Sequence, residues 1–374
     1  MSFVFGMICQ IRIMCLILVP NPIVPERYTK LYKKQRMKIK FLKAGTGDCI
    51  IINHNSKNIV IDGGNESTYL ISEYYKIKSR NEKVDFLIVT HHDDDHIKGI
   101  LDLFKEIETR NEEPLIINVI FNSPRKILNK IEKIKDSNLL SYRQAYELEK
   151  YLIHHHNIKW ETSLKAKDLE SEINLIFNDH DLSFKIFSPN IDILEKYASN
   201  KGAYLTSDYR CDWNSSLSTL IKSIDDKSQD TSASNMTSIV LLLAYKDSNY
   251  LFTGDVTPNR LSEIIDEIRD QNESVDFELV KLPHHASYRS INSKILQKLN
   301  CKNFIVSTNS EKHYLPNKKA FLKIVNNRKS NELISFFFNY GEVIGNLRLS
   351  KAEEKEYNLT LVSNNKNYGY AFDI

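Results

Sequence analysis

The strongest constraint in this chain is a run of six consecutive potential metal ligands, His91-His92-Asp93-Asp94-Asp95-His96. The run follows a buried-strand pattern at 84–90 (VDFLIVT) and precedes a helical pattern at 97–108. Three carboxylates crowded at a strand end repel one another unless a cation compensates. Two further clusters stand at strand ends: Thr253-Gly254-Asp255 after NYLF, and Pro283-His284-His285 after FELVKL. Alone, a strand-to-turn Asp or a His pair says little. In this order they describe one composite site that only a fold can assemble. Most of the chain is therefore expected to be one elaborated domain, although 374 residues would allow two or three.

Apolar runs predict strands at 37–43, 48–53, 58–62, 84–90, 115–121, 182–189, 236–245, 249–255, 277–283, 303–308 and 333–338. Helical spacing marks 66–79, 97–108, 258–270, 291–299 and 317–326, and a long charged helical pattern runs from Arg125 to His156. Short strands alternating with helices place the chain in the α/β class. The run NLTLV (358–362) reads as a strand with no evident partner. Residues 200–235 are polar and read as a mobile surface loop or a substrate-covering insertion.

Composition narrows the function classes. Lys and Arg number 51 against 48 Asp and Glu, a net charge of +3, so no global basic field draws the chain onto nucleic acid. A local basic groove remains open. The five cysteines are scattered without a C-x-x-C pair, which excludes a disulfide framework and a zinc ribbon; a reducing, cytoplasmic location is the simplest reading. No membrane span is expected, because Ile13–Val19 is too short and Ile239–Tyr245 is strand length. Residues 1–36 are expected to be a poorly ordered N-terminal extension, with the ordered domain opening near Met37.

His91-x-Asp93-x-Asp95-His96 resembles the signature of the metallo-β-lactamase superfamily. Asp at the second ligand position, where most members carry His, resembles the hydrolase domain of ComEC-type competence proteins. Other pieces match that subgroup in order: Ala44-Gly45-Thr46-Gly47-Asp48-Cys49, Ile61-Asp62-Gly63-Gly64, Asn235 with Ser238-Ile239-Val240, Leu251-Phe252-Thr253-Gly254-Asp255, and Pro283-His284-His285-Ala286-Ser287. Ala286 stands where the family carries Gly, and His92 fills a position that is usually variable.

This resemblance implies a four-layer αββα sandwich of the metallo-β-lactamase type over residues 37–345. Helical and polar insertions would fall in 97–235, and a C-terminal segment, 346–374, would pack on the domain. It also implies two divalent metal ions, Zn²⁺ or Mn²⁺. One would be held by His91, Asp93 and Asn235, the other by Asp95, His96 and His284, with Asp255 bridging. Asp95 would also orient the nucleophile, a hydroxide between the metals, and His285 would donate a hydrogen bond to substrate or leaving group. Asp62, His92 and His313 would stand behind or beside the ligands. The activity implied is that of a metal-dependent hydrolase, a phosphodiesterase or nuclease with nucleic acid or a nucleotide as substrate. Two other readings stay open: hydrolysis of a thioester, lactone or β-lactam, and a non-catalytic regulatory module, for which the weak ligand Asn235 is the support. Asp in place of His at position 93 hardens the site and favours phosphate over the other bonds.

Overall fold

In β4 (Val84–Val89) all six residues are buried. Successive side chains on a strand point to opposite faces, so Phe86 and Ile88 enter one layer while Leu87 and Val89 enter another. A strand covered on both faces belongs in a middle layer. The computed structural model, which describes residues 36–128, 140–199, 211–225, 227–271, 275–329 and 331–374, places it there. The expected extension 1–36 lies outside the described residues except for Arg36, as does 129–139 of the long helical pattern.

Two seven-stranded sheets form the middle layers. The first runs β16 (Gly369–Asp373), β1 (Lys38–Leu42), β2 (Ile50–His54), β3 (Lys57–Ile61), β4, β5 (Ile116–Phe121) and β6 (Lys159–Glu161). It is antiparallel from β16 to β3 and parallel from β3 to β6. The second runs β15 (Leu359–Val362), β14 (Ile334–Phe338), β13 (Asn303–Val306), β11 (Leu279–Lys281), β9 (Ser248–Phe252), β8 (Val240–Tyr245) and β7 (Leu182–Phe187). There β15 to β9 are parallel, and β8 and β7 complete an antiparallel edge. A two-stranded pair joins β10 (Asp276–Phe277) to β12 (Asn300–Cys301).

Three apolar layers follow from the alternation. Ile39, Phe41, Ile52, Phe86 and Ile88 of the first sheet meet Phe184, Leu241, Leu243, Phe252 and Ile305 of the second. The outer face of the first sheet packs on helices Thr68–Ser79 and Asp94–Thr109 through Leu87, Val89, Leu70, Tyr74, Ile97 and Phe104. The outer face of the second packs on Pro258–Asp270 and Lys318–Asn327 through Leu251, Val280, Ile264, Ile268 and Phe321. The architecture is the four-layer αββα sandwich. Among the described residues no helix is long and apolar enough to cross a membrane.

The partner missing for residues 358–362 is β14, in parallel register. The unexpected last strand, β16, pairs with β1. The C-terminal residues thus edge both sheets. The Arg125–His156 pattern resolves into Pro124–Ile127 and Leu140–His154 on either side of the undescribed stretch.

What positions the site is direction. β3 and β4 run parallel, as do β9, β11 and β13, so their C-terminal ends open together at sheet edges, where ligands bind in open α/β folds. Helix Asp94–Thr109 starts at the end of β4 and is pulled against the end of β3 by Gly63 N–H donating to the His96 carbonyl at 2.7 Å and Gly99 N–H to the Gly64 carbonyl at 2.8 Å. A Cβ at Gly99 would stand 2.0 Å from the Gly63 carbonyl oxygen, which no real contact permits. Gly99→Ala is expected to cost about 2 kcal/mol of unfolding free energy through forced overpacking. A urea denaturation midpoint equal to that of the parent chain would contradict this close approach.

Candidate metal centre

Each strand end delivers one part of the site. His91 follows β4, His96 sits on the first turn of helix Asp94–Thr109, Asp255 follows β9 and His285 follows β11. The ring nitrogens facing away from the centre are all engaged. His96 Nδ1 lies 2.7 Å from Asp62 Oδ2, and His285 Nδ1 lies 2.9 Å from the Ser307 carbonyl. His91 Nδ1 lies 3.1 Å from Thr90 Oγ1, which itself donates to Asp62 Oδ2 at 2.7 Å. An Nδ1–H committed in this way leaves Nε2 as a lone pair, the tautomer a metal ligand needs.

Those Nε2 atoms converge. One ligand atom from each of His91, His96 and Asp255 lies within 4.8 Å of the others, and the same holds for Asp95, His96 and His285. Asp93 Oδ2 lies 3.6 Å from His91 Nε2. His91 Nε2, His96 Nε2, His285 Nε2 and Asp255 Oδ1 are all buried and have no hydrogen-bond partner. Buried polar atoms are almost always hydrogen-bonded, so four without a hydrogen bond, gathered in overlapping sets around His96 and Asp255, mark a place suited to a cation. Neutral imidazole nitrogens and carboxylate oxygens at such separations fit divalent cations.

The electrostatics agree. Burial alone would lower the His285 pKa, but Asp255 and Asp95 outweigh it and push the pKa up to about 10. His96 is likewise driven well above its ordinary value, against burial, by Asp255 and Asp62. Asp95 and Asp255 are held below the usual carboxylate range, again against burial, by His285 and His96. Without a cation, the carboxylates are neutralised by protons on the rings. A divalent ion supplies the same positive charge and frees those protons.

The two adjacent histidines exchange the places the sequence suggested. His285, expected to face substrate, is the ring that enters the cluster. His284, expected as ligand, has a side chain 28% exposed and turns to Asp230 Oδ2, 2.8 Å from its Nδ1. The cause is a tight reversal in which His284, His285 and Ala286 all take left-handed backbone angles, with φ of 46°, 52° and 64°. Asn235, expected beside His91 and Asp93, is buried and donates its amide N–H to Asp230 Oδ2 at 2.7 Å. Its neighbour Ser234 is the residue that reaches Asp93, at 2.7 Å.

His92 does not join the cluster. Its ring packs against Tyr142 and Tyr197, with centroids 5.3 and 5.0 Å away, and burial pushes its pKa down to about 4. Asp62 stands directly behind His96. His313 is half-buried, and its pKa is lowered by burial and by the charge of His284.

The sequence marked neither Asp230 nor Lys281 as part of the site, and it gave Thr90 and Ser238 no role beyond their place in the motifs. Ser238 Oγ lies 3.3 Å from His91 Nδ1 and accepts the Asp255 N–H at 3.3 Å. Asp230 sits in a polar stretch with no pattern to mark it. Lys281 carried one signal, a lysine inside the apolar run FELVKLP.

A sequence model of the metallo-beta-lactamase superfamily matches residues 42–126, which hold Asp62 and the whole run His91–His96. That match and the four-layer sandwich together support the superfamily. Comparison with curated proteins finds no match. Solved structures align at low identity. The metallo-beta-lactamase fold protein YhfI from Bacillus subtilis is 9% identical, with 91% of this chain and 100% of that one covered and a TM-score of 0.39. Zn(2+)-bound PqqB from Methylobacterium extorquens is 10% identical, with 88% of each chain covered and a TM-score of 0.40. Human tRNase Z, short form, is 10% identical, with 72% of this chain and 92% of that one covered and a TM-score of 0.35.

Removing a ligand should cost more than removing an outer partner, whose loss typically lowers metal affinity about 10–100-fold. His285→Ala is therefore expected to lose divalent-cation retention in equilibrium dialysis by about 100-fold or more, and His284→Ala by about tenfold or less. The reverse ranking would restore His284 as the ligand.

Proposed function

We propose that this chain is a metal-dependent hydrolase that cleaves phosphodiesters, in nucleic acid or in nucleotides. The observation that carries this reading is the overlap of two ligand sets, His91, His96 and Asp255 with Asp95, His96 and His285, each with its ligand atoms within 4.8 Å of one another. In the ligand set we favour, His91, Asp93, Asp95, His96, His285 and Asp255 would hold the divalent cations. Divalent cations there, Zn²⁺ or Mn²⁺, would acidify water and neutralise phosphoryl oxygens.

The residues around them have separable work. Asp62 and the Ser307 carbonyl fix the tautomers of His96 and His285, so their lone pairs stay aimed inward. Asp95 has a side chain 23% exposed, the opening through which a carboxylate can orient an incoming water and accept its proton. Three carboxylates, Asp93, Asp95 and Asp255, make the set oxygen-rich, which suits hard phosphate oxygens better than a thioester or lactam carbonyl. Lys312, half-exposed and 3.4 Å from Asp94, adds a cation at the rim where an anionic substrate would approach. The motif resemblance to the hydrolase domain of ComEC-type competence proteins supports nucleic acid among the phosphodiesters. The net charge of +3 accommodates a small nucleotide as readily as a long strand.

A hydrolysis screen with Zn²⁺ or Mn²⁺ over bis(p-nitrophenyl) phosphate, cyclic nucleotides and single-stranded DNA and RNA tests the reading. Turnover of at least one phosphodiester is expected, with a loss of about 100-fold or more in Asp95→Ala. Unchanged turnover in that variant, or purified protein that binds no divalent cation, would sink the proposal.

A further inference from the structure

Lys281 ends β11 with a side chain that has no solvent exposure. Its ammonium is ion-paired with Asp48, donates to the Gly254 carbonyl at 2.9 Å and lies 3.5 Å from Asp255 Oδ1. Its own carbonyl accepts the Thr253 hydroxyl at 2.8 Å, tying β11 to the end of β9. Asp48 is just as buried, at 1% exposure. It arrives on the loop whose Gly47 presses against helix Asp94–Thr109, where a Cβ would stand 1.6 Å from the Asp95 carbonyl oxygen. Asp48 is also within reach of the metal ligands. Asp48, Asp255 and His285 bring ligand atoms within 4.8 Å of one another, and so do Asp48, Asp62 and His96.

A fourth carboxylate therefore borders the centre, and the lysine ammonium occupies the space between it and Asp255. We propose that Lys281 is a resident cation that fills a latent third cation position, keeps Asp48 out of the metal-ligand set and leaves Asp255 to the two proposed metals. This inference rests on the metal-centre reading above. An ammonium has three donors and no lone pair, so it can sit among the Asp48 carboxylate, the Gly254 carbonyl and Asp255 as a small cation would. Fixed in the chain, it also repels a further ion. The pair Asp48–Lys281 adds no net charge, so the charge the metals must balance comes from Asp93, Asp95 and Asp255, with Asp62 behind His96.

Equilibrium dialysis against Zn²⁺ or Mn²⁺ alone, followed by elemental analysis, reads the proposal. In Lys281→Met, Asp48 is released as a ligand, and one additional equivalent of metal is expected. In Asp48→Asn, the ammonium is left unshared beside Asp255, and affinity is expected to fall about tenfold. The double variant Asp48→Asn/Lys281→Met removes both charges and is expected to return to the parent stoichiometry and to within about threefold of the parent affinity. If Lys281→Met fails to fold by circular dichroism, the other two variants still decide, because a buried pair replaced as a unit is tolerated far better than one broken in half. Loss of metal in the double variant equal to that in Asp48→Asn, or no extra equivalent in a folded Lys281→Met, would overturn the resident-cation role. A parent protein that binds no metal would instead overturn the metal centre itself.

Discussion

The Asp62 carboxylate is the joint on which the centre hangs. It is fully buried, sits just past β3 with a left-handed φ of 57°, and accepts three hydrogen bonds. The Thr90 N–H and hydroxyl reach it at 2.8 and 2.7 Å, and the His96 ring at 2.7 Å. One side chain therefore couples the end of β3, the end of β4 and the first turn of the following helix. Through Thr90 the same carboxylate also reaches His91, so the tautomers of two inward-facing rings trace back to one acceptor. The fold positions the joint by running β3 and β4 parallel, which brings their C-terminal ends side by side.

Around that joint the molecule solves a problem of charge. Asp48, Asp62, Asp93, Asp95 and Asp255 are gathered at one edge of the sandwich from strands of both sheets, where burial alone would disfavour every ionised form. The solution is layered. Lys281 answers Asp48, Thr90 and the His96 ring hydrogen-bond Asp62, and Asp95 and Asp255 face the rings of His96 and His285. Carboxylates in excess of the fixed cations, set beside imidazole rings, are what a divalent ion compensates.

Much of this was legible in the sequence, for local reasons. Strand runs such as VDFLIVT carry their burial in every residue, and ligand types such as His and Asp stand out when they follow such runs directly. The order of the three strand-end clusters already required a fold that converges them. What could not be read depends on contacts between distant segments. Which of His284 and His285 turns inward is set by three successive left-handed residues, a conformation that Ala286 does not advertise. Asp230 holds His284 and Asn235 from a polar stretch whose composition suggested a mobile loop or a substrate-covering insertion. The role of Lys281 was hidden, because its buried partner lies in a loop more than two hundred residues earlier. The pairing of β15 with β14 and of β16 with β1 was likewise hidden, since neither strand is set beside its partner by a short turn.

The most direct measurement is anomalous scattering from crystals soaked in Zn²⁺. Peaks are expected within about 2.0–2.2 Å of the Nε2 atoms of His91, His96 and His285 and of the Asp255 carboxylate. A dominant peak on His284 and Asp230, or no peak at the strand ends, would contradict this expectation.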